Sequence, residues 1–437
     1  MRARLILGWL VVLTMVAAIG YAQEAPVKRL SLADALEIAR QNNPSYLTYL
    51  NNRAPAASRS FNSAMSLFTP NVSVSAGQSW SQAGQQSVGS FVFKTPSAVA
   101  SGWSLNFNYL LSGATIANRG LAAAQLRAAD QDISGAATVL ETSVKQEYIN
   151  LLEVRAQADL AQHVVDRAQE LLNLAQARYN VGQGTTIDVR RAQVDKGTAD
   201  VGLLQARQNV DVEVLKLYQL LGVPAPEPPR VEPTDTFAVV EPAYNQDSLV
   251  TLALHENPTL RAMRAREVAA AWTTRSAYST YLPSLQLSAG YGRFSQTAND
   301  TTQKGTNPPW NLRLGISLPL FDAFQRNTQI SQARADQSNQ QQAIRAQELL
   351  VRANVSAAYL ALMTAYRTIG VQANNRSAAD EALSLEEERY RVGSGSIIDL
   401  LTARVASEQA GVTYVNAVYD YHKSIAALEA AVGQSLR

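Results

Sequence analysis

The chain predicts a mixed α/β membrane protein, in which long helices and paired strands are laid down twice from one duplicated unit. Three observations carry that prediction. A short turn sequence occurs twice at an offset of 211: Tyr179 to Gln193 reads YNVGQGTTIDVRRAQ, and Tyr390 to Val405 reads YRVGSGSIIDLLTARV. Both copies lie between proline-free, Ala- and Gln-rich runs far longer than a globular helix. Four segments alternate apolar and polar residues with period two, two of them in each half.

The first residues are a leader. Arg2 and Arg4 precede an apolar run from Leu5 to Ala18, then Gly20-Tyr21-Ala22, so residues 1–22 read as a signal peptide cut after Ala22. The run is short for a membrane span. Its removal takes two arginines from 38 basic residues and nothing from 36 acidic ones, leaving a formally neutral mature chain. No basic field then points to nucleic acid. There is no cysteine, which excludes disulfides, thiolate metal sites and a lipidated N-terminal Cys. His163, His255 and His422 are scattered, so neither a metal nor a cofactor is expected. No later apolar segment is expected to form a transmembrane helix. A secreted chain of this kind is either soluble or an outer-membrane protein.

From Leu30 to about Ala64 the pattern is helical. Ser31 caps it, Leu32, Ala35, Leu36 and Ala39 share one face, and Pro44 disturbs the ladder. Asp247 to Pro258 (DSLVTLALHENP) repeats this start, with Asn257-Pro258 matching Asn43-Pro44. The first repeat therefore occupies 23–221 and the second 247–437. Between them, 222–246 is an extended connector, with six prolines from Gly222 to Pro242.

Strands come next in each repeat. Over 70–80, Val72, Val74, Ala76 and Trp80 alternate with Ser73, Ser75, Gly77 and Ser79. Over 101–110, Trp103, Leu105, Phe107 and Tyr109 oppose Ser104, Asn106 and Asn108. The second repeat supplies Leu285, Leu287, Ala289 and Tyr291 over 283–294. It adds Trp310, Leu312, Leu314, Ile316, Leu318 and Leu320 over 310–320. A half-buried soluble sheet alternates likewise, but here one face is nearly continuous apolar surface. Trp80, Trp103 and Trp310 stand at segment ends, as an aromatic belt does. Val72, Val74, Leu105, Phe107, Leu285, Leu287, Leu312, Leu314 and Ile316, with the three tryptophans, are thus expected to face outer-membrane lipid. Ser81–Ala100 and Ser295–Pro309 read as long polar loops outside. Four strands cannot close a membrane barrel, and open edges in hydrocarbon are prohibitive. Three copies of the chain would give twelve strands.

Helix lengths supply an independent check. The runs 113–181 and 322–392 are each roughly 100 Å long at 1.5 Å per residue. The return runs 185–221 and 396–432 are about half that. A leading helix stacked end to end on a return helix matches a long one. The result is a cylinder of helices with the turns at one end and the strands at the other. A solid bundle would need more Leu and Ile than this Ala-heavy stock.

In the turns, two glycines two apart suggest a tight reversal at positive φ, followed by a capping Thr185 or Ser396. Asp188 and Asp399 fall in the first helical turn beyond, where a carboxylate suits the dipole. One such turn is an ordinary αα-hairpin; two at matching places point to a shared role. These VGxGxxxD turns, the two SLADALEIARQNNP-like starts and Leu318-Pro319-Leu320-Phe321-Asp322 together resemble the TolC family of outer-membrane efflux and secretion channels, over nearly the whole mature chain.

That resemblance implies a homotrimer: a 12-stranded β-barrel in the outer membrane, four strands per chain, continued by a 12-helix periplasmic α-barrel. It implies an exit duct, for efflux or type I secretion, that meets a periplasmic adaptor and an inner-membrane transporter. The docking tips would be Val181, Gly182, Gly184 and Thr185 with Val392, Gly393, Gly395 and Ser396. Asp188 and Tyr390 would form the gate lock and Asp399 the pore-facing acidic ring. Where the family's lock uses an arginine this chain has Gly395, and a second acidic ring is replaced by Thr402. Arg190 and Arg404 stand nearby as substitutes. A passive porin would explain the strands but not the helices, and a periplasmic coiled-coil protein would leave the strands unexplained. No catalytic set or phosphate loop marks an enzyme.

Overall fold

The computed structural model describes residues 29–89, 91–227, 229, 231–298, 301–305 and 310–436. The expected leader over 1–22 lies outside the described residues. The first repeat runs β1 (Arg29–Leu30), α1 (Leu32–Asn42), α2 (Pro44–Met65), β2 (Asn71–Ser81), β3 (Gly84–Val88), β4 (Phe91–Thr95), β5 (Ala98–Leu111), α3 (Gly113–Asn180) and α4 (Thr186–Leu221). After β6 (Glu232–Pro233) in the connector, the second runs α5 (Gln246–Glu256), α6 (Pro258–Ser279), β7 (Ser284–Ala298), β8 (Thr301–Gly305), β9 (Trp310–Ser317), α7 (Gln325–Arg391) and α8 (Ile397–Val432).

The long helices stand where the proline-free runs put them. α3 has 68 residues and α7 has 67, while α4 and α8 have 36 each. Ser112 starts α3 with a reciprocal cap: its hydroxyl accepts from the Thr115 N–H, and the Thr115 hydroxyl accepts from the Ser112 N–H. α7 starts differently. Ala323 and Phe324 sit at φ +52° and +66°, and the Asp322 carboxylate takes the Arg326 N–H at 3.0 Å and its Nε at 2.9 Å. Against expectation, α7 contains an 18-residue window apolar enough to cross a membrane, at mean hydropathy 1.2. It is far longer than a span, however, and it pairs along α8.

Each leading helix is two helices. Asn43 and Asn257 break the ladder, and the proline that follows takes N1, where its missing N–H costs nothing. Each asparagine then does two jobs. The Asn43 Oδ1 accepts from the Tyr46 N–H at 3.0 Å to start α2, while its Nδ2 donates to the Leu220 carbonyl at 2.7 Å, at the end of α4. Asn257 repeats this between Leu260 and Ala431. Gly222 and Gly433, in the left-handed region at φ +77° and +91°, let the return helices end against these junctions. The expected stacking is therefore present, but only the 22-residue α2 and α6 continue the columns. α1 and α5 lie alongside instead.

The duplication is also visible in what is buried. Leu140, Val144, Leu151, Val214, Leu217 and Leu221 form one cluster with Ala35 and Ala39 of α1. Their partners 211 residues on, Val351, Val355, Leu362, Ile425, Leu428 and Val432, form the second, with Leu249 and Ala253 of α5. Each such aliphatic side chain contributes about 1.5–3 kcal/mol on burial. Tyrosines fasten the connector to these cores. The Tyr148 hydroxyl lies 2.9 Å from the Leu30 carbonyl and 2.7 Å from the Asp235 carboxylate. Burial, then Asp235, pushes its pKa up to about 12. The Tyr421 hydroxyl donates to the Val240 carbonyl.

The long strands pair antiparallel in the order β2-β5-β7-β9, with β8 joined to the outer end of β7. The repeats meet where β5 pairs with β7. Two expectations change. The segments read as loops carry strand pairing, β3 with β4 and β8 with β7. β9 stops at Ser317, because Pro319 has no N–H to extend a ladder, so Leu318 and Leu320 leave the strand.

Candidate gate and docking tips

Both tips are built by one recipe. α3 ends at Asn180, and Gly182 turns the chain at φ +77°; Gly393 does so after α7 at φ +85°. One carbonyl then gathers two donors. The Arg178 C=O accepts from Gln183 N at 2.8 Å and Gly184 N at 3.1 Å, and the Arg389 C=O from Ser394 N and Gly395 N, both at 2.9 Å. The second glycines are not at positive φ, contrary to expectation. They serve close packing: a Cβ on Gly395 would lie 3.0 Å from that of Arg389, and one on Gly184 3.1 Å from the Tyr179 nitrogen.

Thr185 and Ser396 begin the return helices, and Asp188 and Asp399 complete their caps. The Asp188 carboxylate accepts from the Thr185 N–H at 3.0 Å and hydroxyl at 2.9 Å, and the Asp188 N–H returns to that hydroxyl at 3.1 Å. Asp399 Oδ2 accepts from the Ser396 hydroxyl at 2.9 Å. Both aspartates therefore have a structural task within their own helix.

Tyr179 and Tyr390 occupy equivalent positions in different surroundings: 45% exposed for the first, 3% for the second. Tyr390 packs with Leu171, Ala175, Val189, Ile397 and Leu400, so all four long helices meet at the tip core. The expected hydrogen bond from Tyr390 to Asp188 is not made, and its hydroxyl has no hydrogen-bond partner among the described residues. The two are still close enough that Asp188 adds to burial in raising the phenol pKa, while Arg178 lowers it. Arg178, missed by the sequence reading, joins the hairpins. Its guanidinium lies 4.6 Å from the Tyr390 ring centroid and donates to the Tyr390 carbonyl and, at 3.1 Å, to that of Gln183.

A turn or two further from the tips, Arg404 on α8 pairs with Asp195 on α4, and both side chains are nearly buried. Burial raises the Asp195 carboxyl, with Arg404 offsetting part of the rise. Arg190 bonds Gln193 on its own helix at 2.8 Å and, among the described residues, bridges nothing across the tip. Thr402 donates to the Ile398 carbonyl at 2.8 Å. Val181, Val392, Ile187 and Ile398 stand exposed around the turns. A groove of about 1000 Å³ runs between α4 and α8 past Ile187, Val194, Ile398 and Val405. Among the described residues no His, Asp and Glu cluster could hold a metal ion.

At the other end, register puts the whole set expected to face lipid on one side of the sheet. Val72 stands opposite Phe107, Val74 opposite Leu105, Leu105 opposite Tyr291, and Phe107 opposite Ala289. Leu285, Leu287, Ala289 and Tyr291 face Ile316, Leu314, Leu312 and Trp310. Trp80 and Trp103 fall on the same side; Phe107, Leu285 and Leu287 are half-buried, and the rest of the set are exposed, Leu105 least at 39%. The opposite side carries Ser75, Ser104, Asn106 and Asn311.

An apolar-faced strand sheet, running directly into helical hairpins with matched tips, defines a membrane channel with a long helical extension. The chain belongs to the outer membrane efflux protein family, whose profile matches residues 31–223 and 249–434. It is 25% identical over 418 residues to outer membrane protein TolC of Vibrio cholerae, covering 92% of this chain and 90% of that one. It is 24% identical over 287 residues to outer membrane efflux protein BepC of Brucella suis, spanning 66% of this chain and 61% of that relative. The pyoverdine export outer membrane protein OpmQ of Pseudomonas putida is 27% identical over 270 residues, 61% of this chain and 56% of its own. In fold it matches the outer-membrane channel OprN (TM-score 0.76, 19% identity, 92% and 90% of the two chains). It matches VceC of Vibrio cholerae equally well (0.76, 20%, 93% and 97%). Membership places the chain in the outer membrane with a periplasmic extension.

Proposed function

We propose that the chain is the exit duct of a tripartite efflux or type I secretion assembly. Three copies share one barrel, and substrates pass from a periplasmic adaptor and its inner-membrane transporter to the cell exterior. The open sheet is the observation that carries this reading: β2 and β9 each have a free outer edge among the described strands. Unpaired strand edges are not tolerated in hydrocarbon, and pairing β2 of one copy with β9 of the next removes them all. The exposed apolar residues at the tips, Val181, Val392, Ile187 and Ile398, supply the docking surface for the adaptor. The closed tip is held by Arg178 on Tyr390 and by Arg404 on Asp195, with Asp188 biasing the Tyr390 phenol and Asp399 contributing the pore-facing carboxylates. A porin would have no use for two long hairpins with matched tips. Native mass measurement in mild detergent tests the assembly: a trimer is expected, and a stable monomer in the membrane would refute it. Crosslinking in cells followed by identification of the co-purified transporter separates the two uses. An ATP-driven exporter points to secretion and a proton-driven pump to efflux.

A further inference from the structure

The four long strands carry two charged residues, and both are arginines. Arg293 lies on β7 and Arg313 on β9, and no Asp or Glu occurs in β2, β5, β7 or β9. Strand register separates the two. Arg293 stands opposite Trp103, on the apolar side, two rows inside the row of Trp80 and Val99. Arg313 stands opposite Ser288, whose other neighbour is Asn108, itself opposite Asn71. The whole transverse row around Arg313 is therefore polar and uncharged.

That polar side is also the hollow side of the sheet. A Cβ on Gly292 would lie 2.9 Å from the Trp103 carbonyl oxygen, and one on Gly290 2.9 Å from Asn311 Oδ1. A concavity of about 640 Å³ opens there, beside Gly102, Ser75 and Ser104. Inward curvature crowds the inner face, so small residues belong on it. A long charged side chain there reaches into lumen water and keeps its hydration. Outward, the same side chain would meet lipid.

We propose that Arg313 from three copies forms a cationic ring in the barrel lumen, in the half nearer the helices, which gives the barrel, the exit end of the duct, a preference for anions. This inference rests on the duct reading above. Rings of charged side chains set ion preference in pores, and low-dielectric walls focus their field. No carboxylate on these strands offsets the ring. The tip carboxylates Asp188 and Asp399 lie beyond the 67-residue α7, many times the ~10 Å screening length at 0.1 M salt. Tip and exit thus act in series and independently, with opposite signs. Carboxylate- or phosphate-bearing solutes are the substrates the exit favours.

Reversal potentials of the purified wild-type trimer in planar bilayers, under a steep KCl gradient, read this directly. Arg313→Gln should raise the potassium-to-chloride permeability ratio by roughly twofold or more while conductance persists. Arg293→Gln, on the other side of the same sheet, should leave the ratio unchanged. Because the chain has no cysteine, Arg313→Cys gives a second readout. A cationic thiol reagent should restore the wild-type ratio, and an anionic one should push it further toward potassium. A ratio that neither Arg313→Gln nor the two reagents move overturns the ring. Wild-type protein that forms no conducting channel at all overturns the duct reading instead.

Discussion

Duplication gave the two tips the same residues, and their neighbours then gave those residues different work. Tyr390 is sealed under Arg178 while Tyr179 stays in solvent. The Arg-Tyr pair was there to be noticed, since Arg178 and Arg389 obey the same offset as the tyrosines. Nothing in the pattern says which arginine crosses to the other hairpin, because that depends on how the hairpins are set side by side. Asp195 had no local signal either; its partner Arg404 is 209 residues away. Breaking that pair with Arg404→Ala should cost about 3–5 kcal/mol of local packing, since it strands a buried carboxylate. The pH dependence has a less familiar sign. Asp195 is raised by burial despite Arg404, so it binds its proton more firmly with α4 and α8 packed than with them apart in water. By linkage, acidification through the carboxylate range favours the packed tip. Closed-state conductance should fall or hold from about pH 7 to about pH 4, and Asp195→Asn should flatten the profile. A rise on acidification that Asp195→Asn abolishes would show that the Arg404 attraction outweighs burial.

At the scale of elements, period and proline were enough to place the four long helices within a few residues and to sort the residues of the four strands into two faces. Alternation fixes a strand's face regardless of its partner, and a proline-free run of helix formers has little else to become. The short helices were the failure. Asn43-Pro44 and Asn257-Pro258 were legible as matching dipeptides, but their task was not, because it takes a carbonyl from another helix 177 or 174 residues away. Each asparagine splices a return helix to the helix stacked on it. Asn43→Ala removes a cap and a bridging bond together, which should cost about 2 kcal/mol. Asn257→Ala should cost less, since its bridge is longer, at 3.3 Å against 2.7 Å, and Asn257 is less buried than Asn43. Urea melts of the two variants in detergent check the order. Equal, negligible losses would mean that the helices stack without the splice.

For the whole molecule, the decisive property is that one sheet has two chemically opposite sides. Its apolar side runs unbroken from Val72 and Val74 on β2 to Leu312, Leu314 and Ile316 on β9. Leu320, Phe321 and Phe324 extend the exposed apolar surface below the strands, at the turn into α7. In a water-soluble monomer this surface would have no reason to exist at such length. In a membrane, each of its positions has a depth, and cost should follow depth. Arg or Lys at Val74 or Leu105, in the middle row, should lower stability by about 2–4 kcal/mol, whereas the same change at Trp80, near the outer rim, should cost no more than about 1 kcal/mol. Ser288 sits one residue from Leu287 and Asn311 one from Leu312, yet both face the hollow side, so Lys there should be tolerated. Folding titrations into lipid vesicles measure the difference directly. Losses that depend on distance along the strand but not on side would mean that both faces meet lipid, and that no lumen forms.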